Sequence, residues 1–137
     1  MPTDLERLGL AVKRVQYRHH RALDVKLATI GSTLTQWDAL RAIGRNPGAS
    51  AHALAVETFQ SDQSFGTLAG RLIAQSLIER RPGKGRRIEH HLTPAGERMV
   101  AAGHPLAAEM LGASFADLTE AERAQLLALL ERSGAVA

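Results

Sequence analysis

Arg80, Arg81, Lys84, Arg86 and Arg87 fall within eight consecutive residues, and Pro82-Gly83-Lys84-Gly85 between them holds turn formers and no acid. On either side, Ile78-Glu79-Arg80-Arg81 and Arg86-Arg87-Ile88-Glu89-His90-His91-Leu92 read as strands. In the second arm Ile88, His90 and Leu92 share one face, and Arg87, Glu89 and His91 share the other. A hairpin of this kind carries strong positive potential at its tip. The chemistry such a finger can do is to grip a polyanion, either a DNA backbone or a narrow minor groove. Just upstream, Gln63, Ser64, Thr67 and Arg71 are side chains that can read base edges. Gln pairs with adenine, Arg with guanine, and the Thr methyl meets thymine. Ser61 and Ser64, near a helix start, can add phosphate contacts.

These side chains need a frame. Ser50 can cap a short helix through Glu57, with Leu54 and Ala55 inward. Thr58-Phe59-Gln60 breaks the pattern, and Ser61 caps the next helix. Phe65, Leu68, Ala69, Leu72 and Ile73 then recur at helical spacing along one buried stripe. The opposite face holds Gln63, Gly66, Thr67, Gly70, Arg71 and Ala74, all small or able to hydrogen-bond. Two helices joined by a short turn, the second with a slim polar face, suit a major groove. The hairpin makes the unit a winged helix-turn-helix spanning residues 34–93.

The flanks are helical. Leu5, Leu8, Val12, Val15, His19 and Ala22 alternate at three and four, predicting a long amphipathic first helix ending near Thr29-Ile30-Gly31. A lone helix cannot bury its own stripe, so other helices or a second subunit must cover it. Leu34-Thr35-Gln36-Trp37-Asp38 opens the next helix with Thr35 as the expected cap, and Trp37, Leu40 and Ile43 face inward. Thr93-Pro94 starts another helix. Gly103-His104-Pro105 is expected to kink or split it. Thr119-Glu120-Ala121-Glu122 is a capping box for a last helix carrying Leu126, Leu127, Leu129 and Leu130. The chain thus reads as one mainly α domain over 1–137 with a small β-hairpin wing.

Bulk properties narrow the class. The chain has 137 residues, a net charge of +3 and no cysteine, so thiolate metal sites and thiol redox chemistry are excluded within it. Basic residues concentrate in the front and middle, and acids in residues 94–137. That asymmetry suits a protein meeting DNA on one side. No apolar run is long enough to span a bilayer and no signal-peptide pattern opens the sequence, so a cytoplasmic protein without a membrane partner is expected. Asp38, Glu57, Asp62 and Glu79 form no acid–base pair at motif spacing, and there is no phosphate-binding Gly loop or nucleophile elbow. An enzyme is not expected, nor a cofactor. The chain holds six histidines. The adjacent pairs His19-His20 and His90-His91 diverge in direction, so neither chelates alone. A zinc-responsive regulator would have to assemble His52, His104 or Glu109 from separate helices.

In this order the sequence resembles the MarR family of bacterial transcriptional regulators over nearly its whole length. Leu34-Thr35-Gln36-Trp37 looks like that family's second-helix opening, and Leu54-Ala55 like the helix before its turn. Leu72, then Leu77-Ile78 and Arg80, resembles the passage from reader helix to wing. Arg86, followed by Leu92-Thr93 and Gly96, is the tightest match. The resemblance implies a homodimer built by first and last helices, here 1–30 and 106–137. It implies a pseudo-palindromic double-stranded DNA operator as partner. Repression relieved by a small aromatic or phenolic effector is the implied mode, with Tyr17, His20 and Trp37 near the expected effector site. A related module with weakened DNA reading that binds a protein is the alternative. Five positions depart from the pattern. Lys84 stands where the family usually has the Asp that holds the wing Arg, a change that opens the groove role of Arg86 to Arg87 or Lys84. Ser76 replaces a Gly, and Thr67 a frequent Arg. Gly66 and Gly70 either let the reader helix sit deep against the duplex or allow close helix packing.

Overall fold

The computed structural model describes residues 1–134; the last three residues of the expected 106–137 dimerisation segment lie outside it. Six helices and one hairpin follow in order: α1 (Leu5–Ala28), α2 (Leu34–Arg45), α3 (Ala51–Glu57), α4 (Asp62–Ala74), β1 (Ile78–Pro82), β2 (Ile88–Leu92), α5 (Pro94–Ser114) and α6 (Glu120–Arg132). The fold is mainly α with a two-stranded antiparallel wing, as the sequence implies. Strand β1 pairs with β2 from Ile78 opposite Leu92 to Pro82 opposite Ile88, so the turn runs from Gly83 to Arg87, not Pro82 to Gly85.

Caps set most helix starts. Ser50, Ser61, Thr93 and Thr119 each accept a backbone N–H with the side-chain oxygen, and Thr119 with Glu122 completes a capping box. For α2 the cap is Thr33, not Thr35: Thr33 accepts from the Gln36 N–H, and Thr35 lies inside the helix. The Asp24 carboxylate, 2.7 Å from the Leu34 nitrogen, takes a further orphan donor. The expected split of α5 does not occur, since Pro105 lies within one continuous helix. Its missing N–H frees the Ala101 carbonyl on an exposed face, where water can satisfy it. Gly103 is buried instead by necessity: a Cβ there would lie 2.1 Å from the Trp37 indole nitrogen. That nitrogen donates to the Val100 carbonyl at 3.2 Å, stitching α2 to α5.

Two cores result. One gathers Leu40, Ile43, Leu54, Phe65, Leu72 and Ile78 beneath the helix-turn-helix and wing. The other gathers Leu23, Leu27, Leu34, Trp37, Ala107 and Met110 where α1, α2 and α5 meet. The predicted stripe of α1 is covered only at its C-terminal end. Leu5, Leu8, Val12 and Val15 stay exposed, and α6 has no buried residue.

Candidate nucleic-acid interface

Helix α4 buries the stripe that its spacing predicts. Phe65, Leu68, Ala69 and Leu72 lie in the core, while Gln63, Ser64, Thr67 and Arg71 are exposed. Ser61 spends its hydroxyl on the cap, accepting the Ser64 N–H at 3.0 Å. The Thr67 hydroxyl donates to the Gln63 carbonyl at 3.2 Å, leaving the methyl as its outward group. At Gly66 and at Gly70 an added Cβ would meet nothing within 4 Å. Close packing inside the chain therefore does not explain either glycine. What they provide is bare backbone, half-buried at Gly66 and exposed at Gly70.

Before α4, Phe59 adopts a left-handed φ of 59° and is 97% exposed, so the turn presents a strained aromatic to solvent. The Gln60 N–H bonds the Ala55 carbonyl at 2.9 Å and holds the turn closed. His52 on α3 meets Asp62 at the start of α4 at 2.9 Å, clamping the two helices together. Ser76 takes φ 60° ahead of β1, the conformation that a glycine would adopt freely.

The five basic residues of the wing divide by partner. Arg87 donates to the Gly48 carbonyl at 2.8 Å, so it ties the wing to the α2–α3 connection instead of reaching outward. Arg81 pairs with Glu79 on its own strand. Arg80 donates from Nε to the ring of His90 across the hairpin at 3.4 Å. Lys84 and Arg86 are exposed, and neither makes a side-chain hydrogen bond or ion pair among the described residues. Glu89 is held by His91 at 3.0 Å, and that hydrogen bond, with the nearby cations, lowers its carboxyl below the usual range. A cleft of about 460 Å³ between the start of α3 and the wing is lined by Ser50, His52, Arg80, Arg86, Arg87 and His90 among others, with no carboxylate in its wall.

A second, apolar cleft of about 1010 Å³ opens between α1, α2, α5 and α6. Of the three residues named for an effector site, His20 and Trp37 line this cleft and Tyr17 does not. Tyr17 is exposed and accepts a hydrogen bond from Arg21 at 3.2 Å, because it points to the other side of α1. Sequence reasoning missed His19, Asp38, Arg41, His104 and Phe115 in this wall. The Arg41 guanidinium lies over the Trp37 ring at 4.5 Å, and His104 meets the same ring edge-on at 5.4 Å. The Trp37–Arg41 spacing of four was a usable signal for a shared face. Burial pushes the Asp38 carboxyl up, partly offset by Arg41. Among the described residues no group of three His, Asp or Glu is placed to hold a metal; His52 faces Asp62, His104 faces Trp37, and Glu109 pairs with Lys26 at 3.3 Å.

A helix-turn-helix followed by an exposed basic wing defines a winged helix-turn-helix protein. Residues 30–88 match the MarR family model. No curated protein matches the chain. Among solved structures, a mutant of MarR from E. coli complexed with operator DNA superposes with a TM-score of 0.85 at 22% identity, covering 92% of each chain. BpsR of Bordetella bronchiseptica, whose DNA binding is regulated by 6-hydroxynicotinic acid, gives 0.84 at 23% identity over 92% of this chain and 97% of its own. A probable transcriptional regulator from Pseudomonas aeruginosa gives 0.82 at 27% identity over 94% and 98%. The fold of the described residues is the winged-helix fold of these structures, and the match to the MarR family model spans the helix-turn-helix and wing, somewhat under half of the chain. No helix among the described residues is long and apolar enough to cross a membrane.

Proposed function

We propose that this protein is a homodimeric repressor that binds a pseudo-palindromic operator through residues 34–93 and is released by a small aromatic effector. The observation that carries the reading is the outward, unpartnered state of Lys84 and Arg86 beside a reader helix whose Gln63, Thr67 and Arg71 are all exposed. Arg86 and Lys84 grip phosphates, Gln63 and Arg71 read base edges, and Ser61 acts mainly as the cap. The uncovered stripes of α1 and α6, at Leu5, Leu8, Leu127 and Leu130, supply the dimer contact. An exposed helix of 13 residues with no buried side chain is marginal by itself and requires such a cover. The effector reading rests on the apolar cleft. Trp37 and His104 offer aromatic edges, Arg41 offers a cation that suits a carboxylate or phenolate, and His20 offers a hydrogen-bonding ring.

The test is binding to the DNA flanking the protein's own coding region over a salt series. Affinity should fall steeply with salt, and Arg86→Ala should flatten the log–log slope by about 1, the loss of one phosphate contact. Arg87→Ala should weaken binding without that change in slope, because its guanidinium is spent on Gly48. Salt-insensitive binding, or capture of a protein partner with no DNA affinity, would replace this reading with an interaction module.

A further inference from the structure

The root of the wing is fastened to the α2–α3 connection by one side chain that does not belong to the basic finger. His90 is 1% exposed, and it stands opposite Arg80 in the hairpin. Its backbone N–H donates to the Ala49 carbonyl at 3.1 Å, and its own carbonyl accepts from the Gly48 N–H at 3.0 Å. The ring adds two more contacts, Nδ1 to the Ala49 carbonyl at 3.0 Å and Nε2 to the Arg80 Nε at 3.4 Å.

Partner chemistry fixes the proton. A carbonyl oxygen can only accept, so Nδ1 must carry hydrogen. The Arg80 Nε–H can only donate, so Nε2 must present its lone pair. Both bonds are satisfied by one neutral tautomer and by no other state of the ring. We infer that neutral His90, protonated on Nδ1 alone, is the positioning residue that docks the wing on Gly48–Ala49 and aims Arg80, so that acidification loosens the wing.

The surroundings oppose a second proton from several sides. Arg80 on β1 faces the ring directly, Arg86 and Arg87 line the same cleft, and so does His52 from α3. His91 is the neighbour on β2, and α4 contributes the edge-on ring of Phe65 at 6.1 Å, which is apolar. The carboxylates nearby are engaged elsewhere, Glu89 with His91 and Asp62 with His52. Burial, then the Arg80 and His91 charges, hold His90 below the usual histidine range, although the Ala49 bond works the other way. The sign follows from linkage. The undocked ring takes up a proton near the ordinary histidine value of about 6.5, while the docked ring does not until lower pH. Docking is therefore complete above that ordinary value and weakens as pH falls through the window between the two.

The link to DNA rests on the reading proposed above, but the device itself is testable without DNA. In the full-length protein, ring nitrogen NMR should show the Nδ1–H tautomer at neutral pH. Amide exchange protection at His90 and Gly48, corrected for intrinsic rates, should fall on acidification by up to about tenfold per pH unit, the limit for one proton. Arg80→Gln leaves the ring in place and should raise the His90 midpoint by removing the opposing cation. His90→Gln keeps an acceptor for Arg80 without a titrating ring and should abolish the pH slope in protection. Operator affinity, where it exists, should fall over the same pH window in the wild type and stay flat in His90→Gln. An Nε2–H tautomer, an unchanged midpoint in Arg80→Gln, or an undiminished slope in His90→Gln would overturn the inference. So would affinity that rises on acidification through His90, since the ring would then be a phosphate contact.

Discussion

Gly66 and Gly70 carry a cost that the fold does not demand. Each destabilises a helix interior by about 1 kcal/mol relative to Ala, and an added Cβ at either site enters open space. Gly66→Ala and Gly70→Ala should each raise the urea midpoint by an amount equivalent to about 1 kcal/mol, while weakening operator binding. Unaltered affinity in both variants would mean that the bare backbone is not read against the duplex. At this scale the sequence showed which residue types could meet DNA, but not their partners within the fold. Arg86 and Arg87 are indistinguishable as letters. Only folding brings Gly48, 39 residues away, under one guanidinium and leaves the other free. His90 was legible as sharing a strand face with Ile88 and Leu92, yet its pairing with Ala49, 41 positions distant, carries no short-range signal. Tyr17 failed for a related reason, since a helix position near the cleft says little about which way the ring points.

Among the elements, capping chemistry was the most readable feature, because a Ser or Thr oxygen and the orphan N–H it accepts lie three residues apart in sequence. Where two Thr compete, as at Thr33 and Thr35, local chemistry leaves the choice to tertiary contacts; here Asp24 on α1 captures the Leu34 N–H and favours the earlier start. Pro105 misled because the cost of a helical proline depends on whether the freed carbonyl is buried, and burial is a property of the whole fold. Gly96 at the first turn of α5 is the opposite of the reader glycines. A Cβ there would sit 2.1 Å from the Leu77 carbonyl oxygen, which belongs to backbone and cannot swing aside. Gly96→Ala should therefore lower stability by about 1–3 kcal/mol through forced backbone displacement, read as a lower unfolding midpoint. A variant as stable as the wild type would show that α5 and the wing base are not in fixed contact.

For the molecule as a whole, amphipathic spacing in α1 and α6 was legible as a need for cover, but not as who supplies it. Leu127 is 59% exposed and does not line the apolar cleft, so it tests association without touching the effector reading. Leu127→Glu should convert the sedimenting mass from two chains to one at micromolar concentration. A wild-type mass of one chain, or a variant still paired, would refute the proposed assembly. Helix α5 joins the remaining parts. With 21 residues at 1.5 Å each it is about 31 Å long. Its first turn is wedged under Leu77, and the Thr93 hydroxyl bonds the Ser76 carbonyl at 2.6 Å. Its middle, at His104 and Ala107, walls the apolar cleft. One unbroken rod thus joins the room where a guest would lodge to the base of the arginine finger, so a displacement at one end has a direct covalent path to the other.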